Sequence, residues 1–370
     1  MAIYVIIAII LIVFYLLSTR LNSRSRNILF LVAGVGLILL IGLRDGHINR
    51  DYRVYKALYD KAPSISVLKS SISEYNSKIK TEFSYSALCT LLKTNGDTRD
   101  NNLFIIFFIY AILGVAVNLY GIKRLSDQEF LAMFIYYSNI FLLHEMTQIR
   151  AGVAIGIILI SLKELQERKF VRFSILILIA TFFHTSALMA FLLLLLRGFK
   201  TDAKVWAGIF AGCVIVNITH FDILHIIDII PSEFYQYKLK AYITLQDTEN
   251  VELNYLNVLF LLQNAIIIIC FYYQEKMEEH NKYLNILLNM CCLSSCCYVF
   301  FGQIPGFAVR LSELFNCSLI ILIPLIAKVM KPKTLAEALV LIIGLGVFYI
   351  NVFHSDLVLD YKVSPIISSL

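Results

Sequence analysis

Long apolar stretches recur along the whole chain and constrain its fold more than any other feature. A helix needs about 20 apolar residues to cross the hydrocarbon core of a bilayer. Of the 370 residues, 59% are hydrophobic and 16% are charged, whereas a soluble domain carries roughly a quarter charged residues. The candidate spans lie at 2–17, 27–43, 101–122, 128–143, 147–162, 173–196, 203–220, 255–273, 283–301, 308–328 and 334–352. We therefore expect an all-α polytopic membrane protein in which residues 1–370 form a single transmembrane domain.

The positively charged residues predict the orientation of the chain. Short loops on the cytoplasmic side of a membrane carry an excess of Lys and Arg. Arg20, Arg24 and Arg26 follow the first span, which favours an outer N-terminus. The net charge of +6 is spread over many short loops and not gathered on one basic face, so no nucleic-acid partner is expected.

The stretch 173–196 conflicts with the positive-inside pattern, because a single crossing there would place every later cationic loop outside. It carries the polar sequence Phe183-His184-Thr185-Ser186 at its middle. A re-entrant or broken hairpin at this point, surrounded by protein, restores the positive-inside pattern. The expected count is then about 11–12 transmembrane segments, with a long outer loop at 44–100 and a second outer segment at 221–254.

Two groups of residues resemble metal sites, yet both favour a simpler interpretation. Four cysteines form a cluster inside one apolar span: Cys291, Cys292, Cys296 and Cys297. Thiolates would be costly there, so packing residues are favoured over a metal or redox site. Asp222, His225 and Asp228 form a stripe that is more typical of an interfacial helix than of a metal site. We expect no metal and no cofactor.

Three arginines stand at helix ends or span edges on the predicted outer side, against the positive-inside trend: Arg44, Arg150 and Arg310. The guanidinium group presents a planar fork that binds phosphate oxygens bidentately. Three such groups at one cavity would clamp a pyrophosphate. The alternative is that each extends to the membrane interface or pairs with a carboxylate such as Glu145 or Glu313.

Tyrosines and a carboxylate follow Arg44 in the outer loop. In a helix beginning near Asp51, the side chains of Asp51, Tyr55 and Tyr59 share one face. Aromatic rings, hydroxyls and a carboxylate suit a sugar site, and we expect Tyr52, Tyr55 and Gln148 to bind sugar. The alternative is an amphipathic helix that lies on the membrane with its tyrosines among the lipid headgroups.

His184 stands alone in an otherwise apolar stretch. An ionisable residue at such a position in a membrane protein is functional by default. Its imidazole suits a general base or a phosphate partner. The alternative is a structural histidine that bonds a backbone carbonyl at the predicted break.

The motifs together resemble the EpsG-like group of Wzy-type polysaccharide polymerases, the O-antigen polymerases. The matching pieces, in order, are Gly42-Leu43-Arg44 with Asp51-Tyr52-x-x-Tyr55, then Glu82-Phe83, Gln148-Ile149-Arg150-Ala151, Phe183-His184-Thr185-Ser186-Ala187 and Val309-Arg310-Leu311. Glu82-Phe83 departs from the family's Glu-Pro-Gly-Phe by lacking Pro and Gly. The pieces run from about 42 to 311, which is most of the chain.

The resemblance implies a fold, an activity and partners. The fold would be a glycosyltransferase-C-like helical bundle in the bacterial inner membrane, with a periplasmic active face. The activity would be metal-independent transfer of a growing glycan, as in O-antigen and lipopolysaccharide synthesis, from undecaprenyl pyrophosphate to a lipid-linked repeat unit. Arg44, Arg150 and Arg310 would hold the leaving pyrophosphate, and Asp51 or His184 would take the acceptor proton. A chain-length regulator is a plausible partner beside the lipid-linked glycans and the bilayer.

Two rival functions share these sequence features. Another polyprenyl-phosphate-dependent glycosyltransferase or ligase would use an acidic residue in the first outer loop, and Asp45 and Asp51 both qualify. A transporter of lipid-linked sugars predicts broken helices in both halves of an inverted repeat. The sequence has one candidate break, near His184, and no convincing corresponding break in the other half.

Overall fold

The computed structural model describes residues 1–65, 67, 81–93, 99–219, 252–355 and 357–368. Within these ranges the chain is helical and forms no β-strand, apart from an isolated antiparallel bridge between Arg44 and Val363. The predicted all-α fold is therefore confirmed. The chain divides into two compact units, one of residues 1–188 and 323–370 and the other of residues 189–322. The single transmembrane domain stays a prediction.

The first unit contains most of the long helices. In chain order these are α1 (Ala2–Ser18), α2 (Ser23–Gly42), α3 (Tyr52–Lys61), α4 (Phe83–Leu92), α5 (Arg99–Leu125), α6 (Glu129–Tyr136), α7 (Ile149–Gln166) and α8 (Phe170–Phe183). A π-helical segment, Tyr137–Glu145, continues α6. The N-cap residue of α2 is Asn22, whose side chain accepts a hydrogen bond from the Ser25 amide, as N-cap asparagines do.

The second unit contains α9 (Ala203–Ile218), α10 (Val258–Tyr272), α11 (Gln274–His280), α12 (Leu284–Phe300) and α13 (Pro305–Asn316). Polar side chains join its helices, since the indole nitrogen of Trp206 donates to Asn289 at 2.8 Å and Ser294 bonds Ser312 at 2.9 Å. The chain then continues into α14 (Leu319–Val329), α15 (Lys333–Tyr349), a π-helical segment Ile350–His354 and α16 (Pro365–Ser368).

The predicted spans correspond to helices in sequence order, but four of them are not continuous α-helices: 128–143, 173–196, 308–328 and 334–352. The span 128–143 becomes π-helical after Tyr136. The span 308–328 consists of α13 and α14, which are bent by 46°. Three helices among the described residues are long and apolar enough to cross a membrane, or five if each bent pair is one span. The count of 11–12 segments stays a prediction.

The break near His184 is present where the sequence placed it. Helix α8 ends at Phe183, His184 has an extended backbone, and a 3-10 helix runs from Thr185 to Leu194. A re-entrant path through a membrane stays a prediction.

Helices α5 and α7 approach each other closely at small residues. A Cβ atom added to Gly156 would lie 2.8 Å from the Asn118 amide nitrogen, and one added to Gly121 would lie 2.9 Å from the Cβ of Leu159. Such contacts are typical of glycine at a helix interface. By contrast, no described atom lies within 4 Å of a Cβ built on Gly208 or Gly212, so these two glycines form no comparable close contact with the described residues.

Candidate active site

Arg150 lies in the first turn of α7, where its guanidinium group meets the segment just before α4. Its Nη1 atom donates hydrogen bonds to the Glu82 carboxylate and to the Thr81 hydroxyl. The Arg150 side chain is 18% exposed and that of Glu82 is 4% exposed. The sequence had suggested Glu145 or Glu313 as carboxylate partners for the outer arginines, and the structure gives Arg150 a different one.

Two tyrosine rings flank the Arg150 guanidinium group. Its Cζ atom lies 5.2 Å from the ring centroid of Tyr55 and 5.9 Å from that of Tyr85, within the range of cation–π attraction. The Tyr85 hydroxyl donates to the Tyr55 carbonyl at 2.8 Å, which fixes α4 against α3. Burial raises the pKa of Tyr55 and that of Tyr85, so both rings stay neutral. The side chains of Tyr55 and Arg150 are also hydrogen-bonded.

His184 reaches the same carboxylate from the break after α8. The Glu82 Oε1 atom accepts a hydrogen bond of 3.1 Å from the Thr185 hydroxyl. It also lies 3.7 Å from Nδ1 of His184. Glu82 thus contacts both Arg150 and His184, which are 34 positions apart in the sequence. The sequence had singled out these two residues separately.

Arg44 is also buried, but its hydrogen bonds go to other residues than those around Arg150. Its Nη1 atom donates to the Glu145 backbone oxygen at 3.2 Å and to the Met146 sulfur at 2.9 Å. Its Nε and Nη2 atoms have no hydrogen-bond partner among the described residues. Burial lowers the pKa of Arg44 to about 10, which nearby Tyr4 and Glu145 partly offset.

A C-terminal segment of residues 359–364 lies across the Arg44 loop. The Asp45 amide donates to the Lys362 oxygen at 2.8 Å, and the Ser364 amide donates to the Leu43 oxygen at 2.9 Å. Arg44 itself forms an isolated backbone bridge with Val363, and only 3% of Arg44 is exposed.

Glu145 occupies a slot between α5 and α7. Its Oε1 atom accepts hydrogen bonds from Tyr136 at 3.1 Å and from Asn118 at 3.0 Å. Glycines form the walls, because a Cβ atom on Gly114 would lie 2.0 Å from Oε2 and one on Gly152 would lie 2.7 Å from the carboxyl carbon. The Glu145 carboxyl group is thus fixed by these two helices.

The remaining predicted residues of the first unit surround the Arg150 cluster. Asp51 is the N-cap residue of α3, as expected, and its charge acts on Tyr55. Tyr52 is 7% exposed, with its ring stacked on Phe107 at 6.0 Å. Because Tyr52, Tyr55 and Tyr59 are all buried, this face of α3 packs against protein and does not lie among lipid headgroups. Gln148 is half-buried at the N-cap of α7.

Arg310 belongs to the other unit. It is exposed on α13, one helical turn before Glu313. The convergence of Arg310 with Arg44 and Arg150 on one cavity stays a prediction.

Sequence reasoning missed the part played by Glu82. Its position beside Phe83 was noted only as a piece of a motif, and nothing local marks it as the partner of Arg150. No group of three or more His, Cys, Asp or Glu that would hold a metal occurs in the described part of the chain. Asp222, His225 and Asp228, with nearly all of the second outer segment, lie outside the described residues.

The fold and the site define a helical membrane protein with a buried cluster of Arg, Glu and His at the ends of its helices. The model of the EpsG family matches residues 27–363, and the chain belongs to this family. EpsG-like proteins are similar to Wzy-type polymerases, which supports a membrane glycosyltransferase-like or polymerase role. No curated protein and no solved structure matches the chain.

Proposed function

We propose that this protein polymerises lipid-linked oligosaccharide repeat units at the outer face of the bacterial inner membrane. The donor is a growing glycan on polyprenyl pyrophosphate, and the acceptor is a single lipid-linked repeat unit. Membership of the EpsG family supports a polysaccharide-related role. The observation that carries the proposal is the Arg150 cluster, in which one buried carboxylate contacts both a cation and an imidazole.

The reaction needs a cation for the leaving group and a base for the acceptor proton, and the Arg150 cluster contains candidates for both. The acceptor hydroxyl oxygen forms a bond to the anomeric carbon of the donor. The bond from that carbon to the pyrophosphate oxygen breaks, and the electron pair leaves with the pyrophosphate. A fixed cation aimed at the leaving group stabilises the growing charge, and a neighbouring base accepts the hydroxyl proton.

Arg150 is the leading candidate for the leaving-group cation. Tyr55 and Tyr85 flank its guanidinium group, and a guanidinium group can bind phosphate oxygens bidentately. Arg44 and Arg310 are proposed as further pyrophosphate ligands, and Asp51 or His184 as the proton acceptor. Tyr52, Tyr55 and Gln148 are proposed to contact the acceptor sugar. Because the rings of Tyr52 and Tyr55 are buried, this contact requires α3 to shift.

Glycan length in a deletion strain tests the proposal. The strain is complemented with wild type, Arg150→Ala, Arg310→Ala or His184→Ala at matched expression, and the exposed Lys61→Ala serves as the control variant. We expect single repeats in the deletion strain, a full ladder with wild type and Lys61→Ala, and no ladder with the other three. A deletion strain that lacks repeats at the outer face altogether would place the step earlier, as for a transporter or another transferase.

A further inference from the structure

Glu82 contacts two functional groups through its two oxygen atoms. Oε2 accepts from Arg150 and from Thr81. Oε1 accepts from Thr185 at 3.1 Å and faces Nδ1 of His184 at 3.7 Å. A buried carboxylate is costly unless it is paired and hydrogen-bonded, and here both oxygens have partners.

A carboxylate at one nitrogen of an imidazole has a known effect on the other nitrogen. At 3.7 Å this contact is longer than a hydrogen bond, but the nearby negative charge stabilises the imidazolium form after a proton has been taken up. Because Nδ1 of His184 faces Glu82, the nitrogen on the opposite edge of the ring, Nε2, is the one suited to receive a proton.

The same carboxylate also fixes where the cation stands. Arg150 is bonded through Oε2 and His184 is placed at Oε1, so that a single group sets the distance between leaving-group cation and base. Asp51, the other candidate base, stands at the N-cap of α3, and its charge acts on Tyr55.

We propose that Glu82 is a positioning residue for both Arg150 and His184, and that His184 Nε2, not Asp51, takes the acceptor proton. This inference rests on the proposed polymerase function. In the step, the acceptor oxygen bonds to the anomeric carbon, its proton moves to Nε2, and the carbon–pyrophosphate bond breaks with its electrons on the leaving group. Glu82 contacts Arg150 and His184 and touches no substrate.

The chain offers a matched control for Glu82. Arg124 and Glu164 form a second ion pair of the first unit at 2.9 Å, with side chains 18% and 9% exposed, against 18% and 4% for Arg150 and Glu82. Glu164→Gln thus removes a carboxylate of comparable burial without touching the proposed site. Its effect shows what loss of a half-buried ion pair alone does to the protein.

The experiment measures chain elongation by full-length protein in lipid nanodiscs. The substrate is the lipid-linked oligosaccharide fraction extracted from the deletion strain. We expect Glu82→Gln to lower kcat by ~10- to 100-fold, as loss of a carboxylate behind a functional histidine does. Glu82→Asp should restore part of this loss, while Glu164→Gln should keep the wild-type kcat.

Chemical rescue separates a positioning role from a purely structural one. Imidazole should restore elongation to His184→Gly, and it should do so much less in the His184→Gly, Glu82→Gln double variant. Rescue of both variants to the same degree, or a kcat for Glu82→Gln equal to that of Glu164→Gln, would overturn the positioning role. If Asp51→Asn abolishes elongation while His184→Gly retains it, the assignment of the base is wrong. Failure of the wild type itself to elongate would instead overturn the proposed function.

Discussion

The Arg44 guanidinium group donates from Nη1 to the backbone oxygen of Glu145, 101 positions later, at 3.2 Å. The acceptor is a main-chain carbonyl at the end of a π-helical segment and not a carboxylate. Two further donors of Arg44, Nε and Nη2, have no partner among the described residues. Buried donors without partners cost free energy, so a proposed anion ligand would satisfy groups that the fold leaves unpaired.

This arrangement predicts opposite effects of Arg44→Met on stability and on activity. Replacing a buried cation that has unpaired donors by an apolar side chain of similar length removes the cost of burying those groups. We expect an unchanged or higher thermal unfolding midpoint in detergent, together with loss of the glycan ladder. Arg44→Lys, which keeps the charge but not the fork, should also lose the ladder. A full ladder with Arg44→Met would exclude Arg44 from the reaction.

The Arg150–Glu82 pair predicts that stability and function separate in a double variant. Arg150→Met leaves the Glu82 carboxylate buried without its cation, which costs about 3 kcal/mol or more. Adding Glu82→Leu removes that unpaired charge and should recover most of the unfolding midpoint. We expect no glycan ladder from either variant, in the deletion strain at matched expression. If the double variant is no more stable than Arg150→Met, the unpaired Glu82 carboxylate is not the cause of the lost stability.

The glycine slot around Glu145 predicts position-specific effects of alanine. At Gly114 or Gly152 an added Cβ atom would overlap the Glu145 carboxyl group, so we expect Gly114→Ala and Gly152→Ala to destabilise the protein by ~1–3 kcal/mol. At Gly36 in α2 and Gly346 in α15 no described atom lies within 4 Å of the added Cβ. There alanine should be neutral or stabilising because of its higher helix propensity. Thermal unfolding of the four variants checks this, and equal effects at all four positions would contradict the slot.

Cys89 predicts a result in thiol labelling. The sequence places it in a hydrophilic loop, but in α4 its side chain is fully buried, and burial raises its pKa to about 12. The reactive thiolate is therefore scarce at neutral pH. We expect Cys89 to resist N-ethylmaleimide at pH 7.5 in the folded protein and to react after denaturation, as followed by peptide mass spectrometry. Lys61→Cys in a Cys89→Ser background is the exposed control, and equal labelling rates would show that the segment around α4 opens readily.

The elements that sequence reasoning located well are those whose signal is local. Apolar runs marked the helices, because a helix in lipid must satisfy its backbone internally and present apolar side chains. The polar residues from His184 to Ser186 marked the end of α8 within one residue. The bend between α13 and α14 was missed, although the polar residues Asn316 and Ser318 stand at it.

By itself, the sequence determined the all-helical membrane class, the approximate positions of the helices and a set of candidate residues for the chemistry. Only the tertiary structure decided which of them meet. Glu82 and Arg150 are 68 positions apart, and Thr185 lies 103 positions beyond Glu82. The pairing depends on how α4, α7 and the break after α8 pack, and no local periodicity reports packing between distant segments. Packing between distant segments also buried the tyrosines of α3 and the side chain of Arg44.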